Sequence, residues 1–281
     1  MEYRELYNGV RMPMLGLGVF QIPDHDEAKR TVLSALRAGY RLIDTAQAYG
    51  NERAVGEAVK ESGVAREDVF VTTKVWIRDF SHEGAVRAVR RSMEDLGTDY
   101  IDLVLLHQPM GDYPSAWRGL EELYAQGAVR AIGMANCYPH VLADLCATFE
   151  VKPMVNQVEL HPFFQQQGSV GLMREYGVAP QAWAPFDEGL HDFFNHPVLG
   201  EIGAVYGKSA AQVALRWNIQ RGVCVIPKTV HEERMHQNMD VFDFELTADD
   251  MKRIAAMDLG RSEIVDHFDP RWVEQLHRWT F

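Results

Sequence analysis

Cysteine is scarce in this chain. Cys137, Cys146 and Cys224 are the only three among 281 residues. They are odd in number and form no C-x-x-C pair, which excludes a disulfide framework and points to a reduced, cytoplasmic protein. Their simplest reading is as small residues in or near the core. Positive charge is also short. Lys and Arg number 28 against 40 Asp and Glu, a formal net charge of −12. That balance argues against a nucleic-acid partner and gives nothing to attract an anionic membrane. A local basic pair can still hold an anionic cofactor inside an acidic protein. No apolar run is long enough to span a bilayer. The opening residues, Met1 to Glu5, are too charged for a signal peptide. Low-complexity tracts, Pro-rich linkers and long charge blocks are missing too. A single domain over residues 1–281 is therefore expected, and with no obvious assembly element it is expected to be a monomer.

What is present is an alternation. Short, β-branched runs read as strands at Leu15–Gly18, Arg41–Asp44, Val69–Lys74, Ile101–His107, Val129–Met134, Met154–Gln157, Ala179–Trp183 and Val223–Pro227. Amphipathic stretches between them read as helices at Asp24–Ala38, Asn51–Ser62, Ser81–Leu96, Pro114–Ala125, Pro139–Ala147, Val170–Tyr176 and Ala210–Gln220. Gly follows most of these helical runs, as at Gly97 and Gly177, where a left-handed residue commonly ends a helix. Ser81 and Ser209 stand at N-cap positions. Eight strands alternating with helices predict an α/β fold, a closed parallel (β/α)8 TIM barrel. The turn signal Asn8-Gly9 predicts an N-terminal β-hairpin that plugs the bottom of the barrel. Two stretches break the repeat: Phe186–Gly207, and the aromatic-rich tail Leu259–Phe281. They are expected as long loops at the C-terminal face, where such barrels build their sites.

Several motifs resemble known chemistry and fail on spacing. Gly16-Leu17-Gly18 starts like a dinucleotide fingerprint, but Gln21 stands where the third glycine belongs. Gly203 to Ser209 is one residue too short for a phosphate loop and reads as a turn ending in a helix cap. His231 and His236 are five apart, so they do not share a helix face as zinc-protease ligands do. No G-x-S-x-G elbow occurs.

One constellation survives. The ends of the second, third and fourth strands deliver Asp44, Lys74 and His107 to one rim, with Tyr49 just beyond Asp44. Singly, each has a structural explanation: a turn aspartate, a packed tyrosine, a snorkelling lysine, a core histidine. Jointly those explanations weaken, because apolar strands have little reason to end in such residues three times running. The four have complementary tasks in carbonyl reduction. A phenol with an ordinary pKa of about 10 is a poor acid at neutrality. An adjacent ammonium, Lys74, is expected to lower that pKa. Asp44 would keep the buried cation paired. His107 would orient the substrate oxygen.

These residues, in their wider blocks, resemble the aldo-keto reductase family. The resemblance covers nearly the whole chain: Leu15-Gly16-Leu17-Gly18, the block from Asp44 through Tyr49-Gly50-Asn51-Glu52 to Gly56, Leu105-Leu106-His107-Gln108-Pro109, and Gly127 to Gly133. It is similar in particular to the bacterial diketo-gluconate and methylglyoxal reductases. It implies NADPH (or NADP+) as cofactor and small aldehydes, ketones, α-dicarbonyls or keto-sugars as substrates, with Tyr49 as general acid. It also implies that Asn136 and Gln157 grip the nicotinamide carboxamide and that Trp183 stacks on its ring. Lys228, Thr229, Arg234, Gln237 and Asn238 would form the adenosine-phosphate clamp. Two cations beside a hydroxyl suit a 2′-phosphate on physical grounds as well. Ala135 stands where the family usually has serine, Thr229 also replaces serine, and Gln237 replaces a frequent glutamate.

Phe20, Trp76 and Trp272 are the expected apolar walls of the substrate pocket. Two other functions fit parts of the pattern. One is a cofactor-binding redox sensor with little turnover, as in channel subunits of the same family. The other is a metal-dependent barrel hydrolase built on Asp44, His107 and His161. The second leaves Tyr49 and Lys74 unexplained, so no metal is expected.

Overall fold

The computed structural model of the protein describes residues 1–279 and 281. The chain opens with an antiparallel hairpin, β1 (Tyr3–Glu5) and β2 (Arg11–Pro13), turning at Asn8-Gly9. Gly9 takes a φ of 84° there, a conformation only glycine adopts without strain. The barrel strands follow: β3 (Leu17–Gly18), β4 (Leu42–Asp44), β5 (Phe70–Val75), β6 (Leu103–Leu106), β7 (Ile132–Ala135), β8 (Val155–Glu159), β9 (Ala179–Trp183) and β10 (Cys224–Val225). All neighbours pair in parallel, in order from β3 to β10. A parallel bridge between Leu15 and Val225 closes the circle, with Gly16 N donating to Val225 O at 2.8 Å and Gly18 N to Pro227 O at 3.1 Å.

Closure removes both sheet edges, and a ring of helices covers the outside. That is why β5 to β8 are buried at every residue, and why β6 and β7 read as continuous apolar runs rather than as alternation. The ring contains α1 (His25–Arg37), α2 (Glu52–Glu61), α3 (His82–Leu96), α4 (Tyr113–Ala125), α5 (Pro139–Thr148), α6 (Gln167–Tyr176), α7 (Pro197–Tyr206) and α8 (Ala210–Gln220). Helix α1 shows the local logic. Asp24 caps it by accepting from Glu27 N, and Ala28, Thr31, Val32, Ala35 and Leu36 form its buried stripe. Ser209 and Gln212 form a capping box at the start of α8.

The hairpin sits at the N-terminal end of the barrel, as expected. Tyr7 Oη donates to Lys152 O and Asn8 Nδ2 to Arg130 O, both just before strands β8 and β7. Met12 is fully buried with its sulfur 3.9 Å from Gln181 Nε2 inside the barrel.

The two irregular stretches are not plain loops. Phe186–Gly207 contains a 3₁₀-rich turn at Asp187–Asn195 and then α7. Gly200 and Gly203 hide this helix from a propensity reading. Gly203 is there for clearance, since a Cβ would meet Lys208 O at 2.2 Å. Beyond β10 come α9 (Glu232–Met239), α10 (Ala248–Ala255) and α11 (Pro270–Arg278). Asp269 caps α11, whose main anchor is buried Leu276. His231 is only the N-cap of α9, with His236 on the helix. Among the described residues no helix is long and apolar enough to cross a membrane.

Candidate active site

The C-terminal ends of the strands ring a cavity of about 430 Å³. Register decides what reaches it. Asp44 on β4 pairs with Thr72 on β5, so Lys74, two residues on, points to the same face. His107 follows the last residue of β6 and is fixed by its N–H to Val75 O at 3.0 Å. Tyr49 ends a single 3₁₀ turn after β4. Gln47 in that turn donates to Ala88 O and to Ser92 Oγ, and Asn51 donates to Val19 O and Ile22 O. The turn carrying Tyr49 is thus held from both sides.

The four expected residues meet. Lys74 is wholly buried, and its Nζ donates to Asp44 Oδ1 at 2.5 Å, to Thr45 O at 3.0 Å and to Tyr49 Oη at 3.2 Å. The Tyr49 and His107 rings lie 5.8 Å apart, edge to face. Burial alone would lower the Lys74 pKa, but the Asp44 carboxylate and the Tyr49 hydroxyl hold it above its ordinary value, so the ammonium persists. The expectation for Tyr49 needs correcting. Burial pushes the phenol above its ordinary value, and the Lys74 ammonium pulls it down without prevailing. A resting tyrosine is therefore a fully protonated donor, with the cation placed to stabilise the anion it becomes. Burial, reinforced by Lys74, pulls His107 well below its usual range, so its ring is neutral. Among the described residues His107 Nδ1 is sealed in without a partner, which leaves Nε2 as the nitrogen open to the cavity.

Asn136, Gln157 and Trp183 also line the cavity. Trp183 Nε1 donates to Asn136 Oδ1 at 2.8 Å, and Asn136 Nδ2 donates to His107 O at 3.1 Å. Gln157 Nε2 donates to both Asp44 Oδ2 (2.7 Å) and Gln181 Oε1 (2.8 Å), so only its oxygen is left for a bound amide. Lys228 reaches the cavity edge just past β10. Arg234 and Gln237 are exposed on α9, while Thr229 is buried and accepts from His231 N at 3.1 Å. Asn238 faces inward to the Tyr40 hydroxyl instead of outward.

Phe20 and Trp76 line the cavity, with the Phe20 ring 4.9 Å from Tyr49 at a tilt of 46° and the Trp76 ring 4.9 Å from His107, edge to face. Trp272 is not. It lies in the first turn of α11, and the cavity instead receives Leu276 and Trp279 from the other end of that helix. Trp279 and Phe281 each pack 6.0 Å from Trp76. An aromatic-rich tail was the only signal, and the helix phase that selects Trp279 over Trp272 depends on docking. Gln108 and His267 were also missed, because the sequence does not show that residues 159 apart meet: His267 Nε2 lies 2.8 Å from Gln108 Oε1.

A model of the aldo/keto reductase family matches residues 14–259. The chain belongs to that family. Glyoxal reductase of Bacillus subtilis (strain 168) is 46% identical to it over 254 residues, which cover 90% of this chain and 91% of that protein. A solved aldo-keto reductase from a Medee basin deep-sea metagenome library superposes with a TM-score of 0.91 at 39% identity, covering 95% of this chain and 98% of that one. The Bombyx mori aldo-keto reductase solved in complex with NADP superposes with a TM-score of 0.90 at 31% identity, covering 95% of both chains. This reductase thus shares its barrel with its relatives over nearly its full length, and the expected family is the observed one.

Proposed function

We propose that this reductase uses NADPH to reduce small aldehydes, ketones and α-dicarbonyls to alcohols, with Tyr49 as the proton donor. The observation that carries the reading is the convergence of Tyr49, Lys74, Asp44 and His107 at the cavity. The donor set suits the dinucleotide. Exposed Lys228 and Arg234 pair with no carboxylate among the described residues and flank Thr229, a set matched to a phosphate. The half-buried Trp183 ring and the free oxygen of Gln157 suit a planar carboxamide-bearing ring. When bound, NADPH supplies the hydride.

The chain's own residues do the rest. Neutral His107 offers Nε2–H to the carbonyl oxygen and orients it. Tyr49 Oη gives that oxygen its proton as negative charge develops on it. The Lys74 ammonium, 3.2 Å away, stabilises the tyrosinate left behind. Asp44 keeps that ammonium in place, and Gln157 keeps Asp44 in place. Aromatic walls exclude water from the reacting atoms. The working form we propose is a single-domain cytoplasmic monomer. Three buried, unpaired cysteines favour a reducing compartment.

The test is the loss of reduced-nicotinamide absorbance with methylglyoxal, phenylglyoxal, a nitrobenzaldehyde and a keto-sugar acid, run in parallel with NADPH and NADH. Turnover with NADPH supports the reading. Tight NADPH binding with no turnover on any of them would shift the protein to a sensing role.

A further inference from the structure

The cavity has a second polar corner, and its hydrogen bonds define its chemistry. Trp183 Nε1 can only donate, so the Asn136 atom it meets at 2.8 Å must be the oxygen. Asn136 Nδ2 then faces His107 O at 3.1 Å and Gln108 Oε1 at 3.3 Å. That orients the Gln108 carboxamide: its oxygen accepts from Asn136 at 3.3 Å and lies 2.8 Å from His267 Nε2. The Gln108 Nε2 amide is left without an acceptor among the described residues, on a residue that lines the cavity next to His107. Gln108 is buried to 5% exposure, and its amide nitrogen is not among the sealed polar atoms without a partner, so what remains open of this residue faces the cavity.

Charge at this corner is equally specific. Lys74 is locked behind Tyr49 in its ion pair and does not line the cavity. Lys228 follows β10, which stands four strands from β6 in either direction around the closed eight-stranded barrel. It is therefore across the cavity from Gln108. His267 is held neutral, its pKa pulled down to about 4 by burial. The acidic side chains at the cavity are Asp44 and Glu188. Among the described residues lining the cavity no cation is placed to receive an anion beside the reacting carbonyl, and an unpaired anion in such a site is strongly disfavoured.

We propose that Gln108, held in orientation by His267 and Asn136, is a specificity-determining donor for a second, uncharged oxygen adjacent to the reacting carbonyl, so that the site selects neutral 1,2-dicarbonyls over simple aldehydes and excludes 2-oxo acids. The proposal rests on the reductase reading above. Gln108 binds the second oxygen while Tyr49 and His107 act on the first, and the surrounding Trp76 and Trp279 rings accept the apolar remainder of the substrate.

Three probes of matched shape separate the terms: phenylglyoxal, benzaldehyde and phenylglyoxylate, each with NADPH. The wild-type enzyme reduces phenylglyoxylate at least ~100-fold less efficiently than phenylglyoxal, consistent with an uncompensated charge. In Gln108→Leu the ratio of kcat/KM for phenylglyoxal to that for benzaldehyde falls about tenfold, the effect of one lost hydrogen bond. His267→Phe leaves Gln108 in place but frees its carboxamide, and it lowers the same ratio in a variant that does not depend on Gln108→Leu folding. An unchanged ratio in both variants overturns the proposal, as does phenylglyoxylate turnover equal to that of phenylglyoxal. Failure of the wild type to reduce either aldehyde would instead remove the reductase reading beneath it.

Discussion

Lys74→Met tests the buried ion pair. Both partners are sealed, with side-chain exposures of 0% for Lys74 and 2% for Asp44, and their contact is 2.5 Å. Solvent therefore screens neither. Removing the ammonium leaves Asp44 with Gln157 Nε2, at 2.7 Å, as its main donor. Stranding one partner of a buried pair costs about 3–5 kcal/mol, whereas replacing both partners with apolar groups is often close to neutral. Lys74→Met should thus lose roughly 3–5 kcal/mol in urea unfolding at unchanged m, while Lys74→Met with Asp44→Leu recovers most of that loss. The two single effects should fail to add by more than ~1 kcal/mol. Burial already pushes Asp44 above its ordinary carboxylate range. In the single variant this carboxyl takes up a proton when folded that it releases when unfolded, so the deficit grows as pH rises from 5 to 8 on the order of the linkage relation. Neither variant should regain turnover, since Tyr49 has lost its cation in both. Additive losses, or a deficit that does not change with pH, would refute the claim that the pair is held by mutual compensation in a dry site.

Other outcomes follow from the same geometry. Tyr49→Phe should bind NADPH nearly as well as the wild type in a fluorescence titration, yet lose roughly 10²-fold or more in kcat; normal turnover would remove Tyr49 as proton donor. Lys228→Ala with Arg234→Ala should weaken NADPH by about 10- to 100-fold relative to NADH, and an equal loss for both would show that the pair does not read the 2′-phosphate. The turn after β9 lines the cavity through Phe186, Glu188 and Phe194, and it takes positive φ at Asp187, Glu188, His191 and Asp192. His191 bridges it to the tail, with Nδ1 2.6 Å from Asp187 and Nε2 2.8 Å from Glu263. Its pKa is raised above 6.5, chiefly by the Asp187 hydrogen bond. The stabilisation is therefore complete below 6.5 and fades as pH climbs through the raised value. Limited proteolysis of this turn should be slower at pH 6 than at pH 8, and His191→Phe should flatten the difference; a wild-type rate that does not change with pH would exclude the latch.

The barrel and its working rim are written in the local patterns of the chain. Apolar runs buried on both faces, alternating with capped amphipathic helices, admit few folds other than a closed parallel sheet. Because side chains alternate along a strand and strands end at one face, Asp44, Lys74 and His107 could be placed together without coordinates. The placement of Gln157, Trp183 and Lys228 at the cavity was legible in the same way, because each stands at or near a strand end. Features that depend on docking and on burial emerge only in the folded chain. Helix α11 brings Trp279 rather than Trp272 to Trp76 because its phase is set by Leu276 against the barrel. Gln108 meets His267 across 159 residues of chain, and no local pattern encodes a contact at that separation. Tyr49 is pushed up rather than down because desolvation, which only a folded site produces, outweighs a cation whose presence the sequence did show.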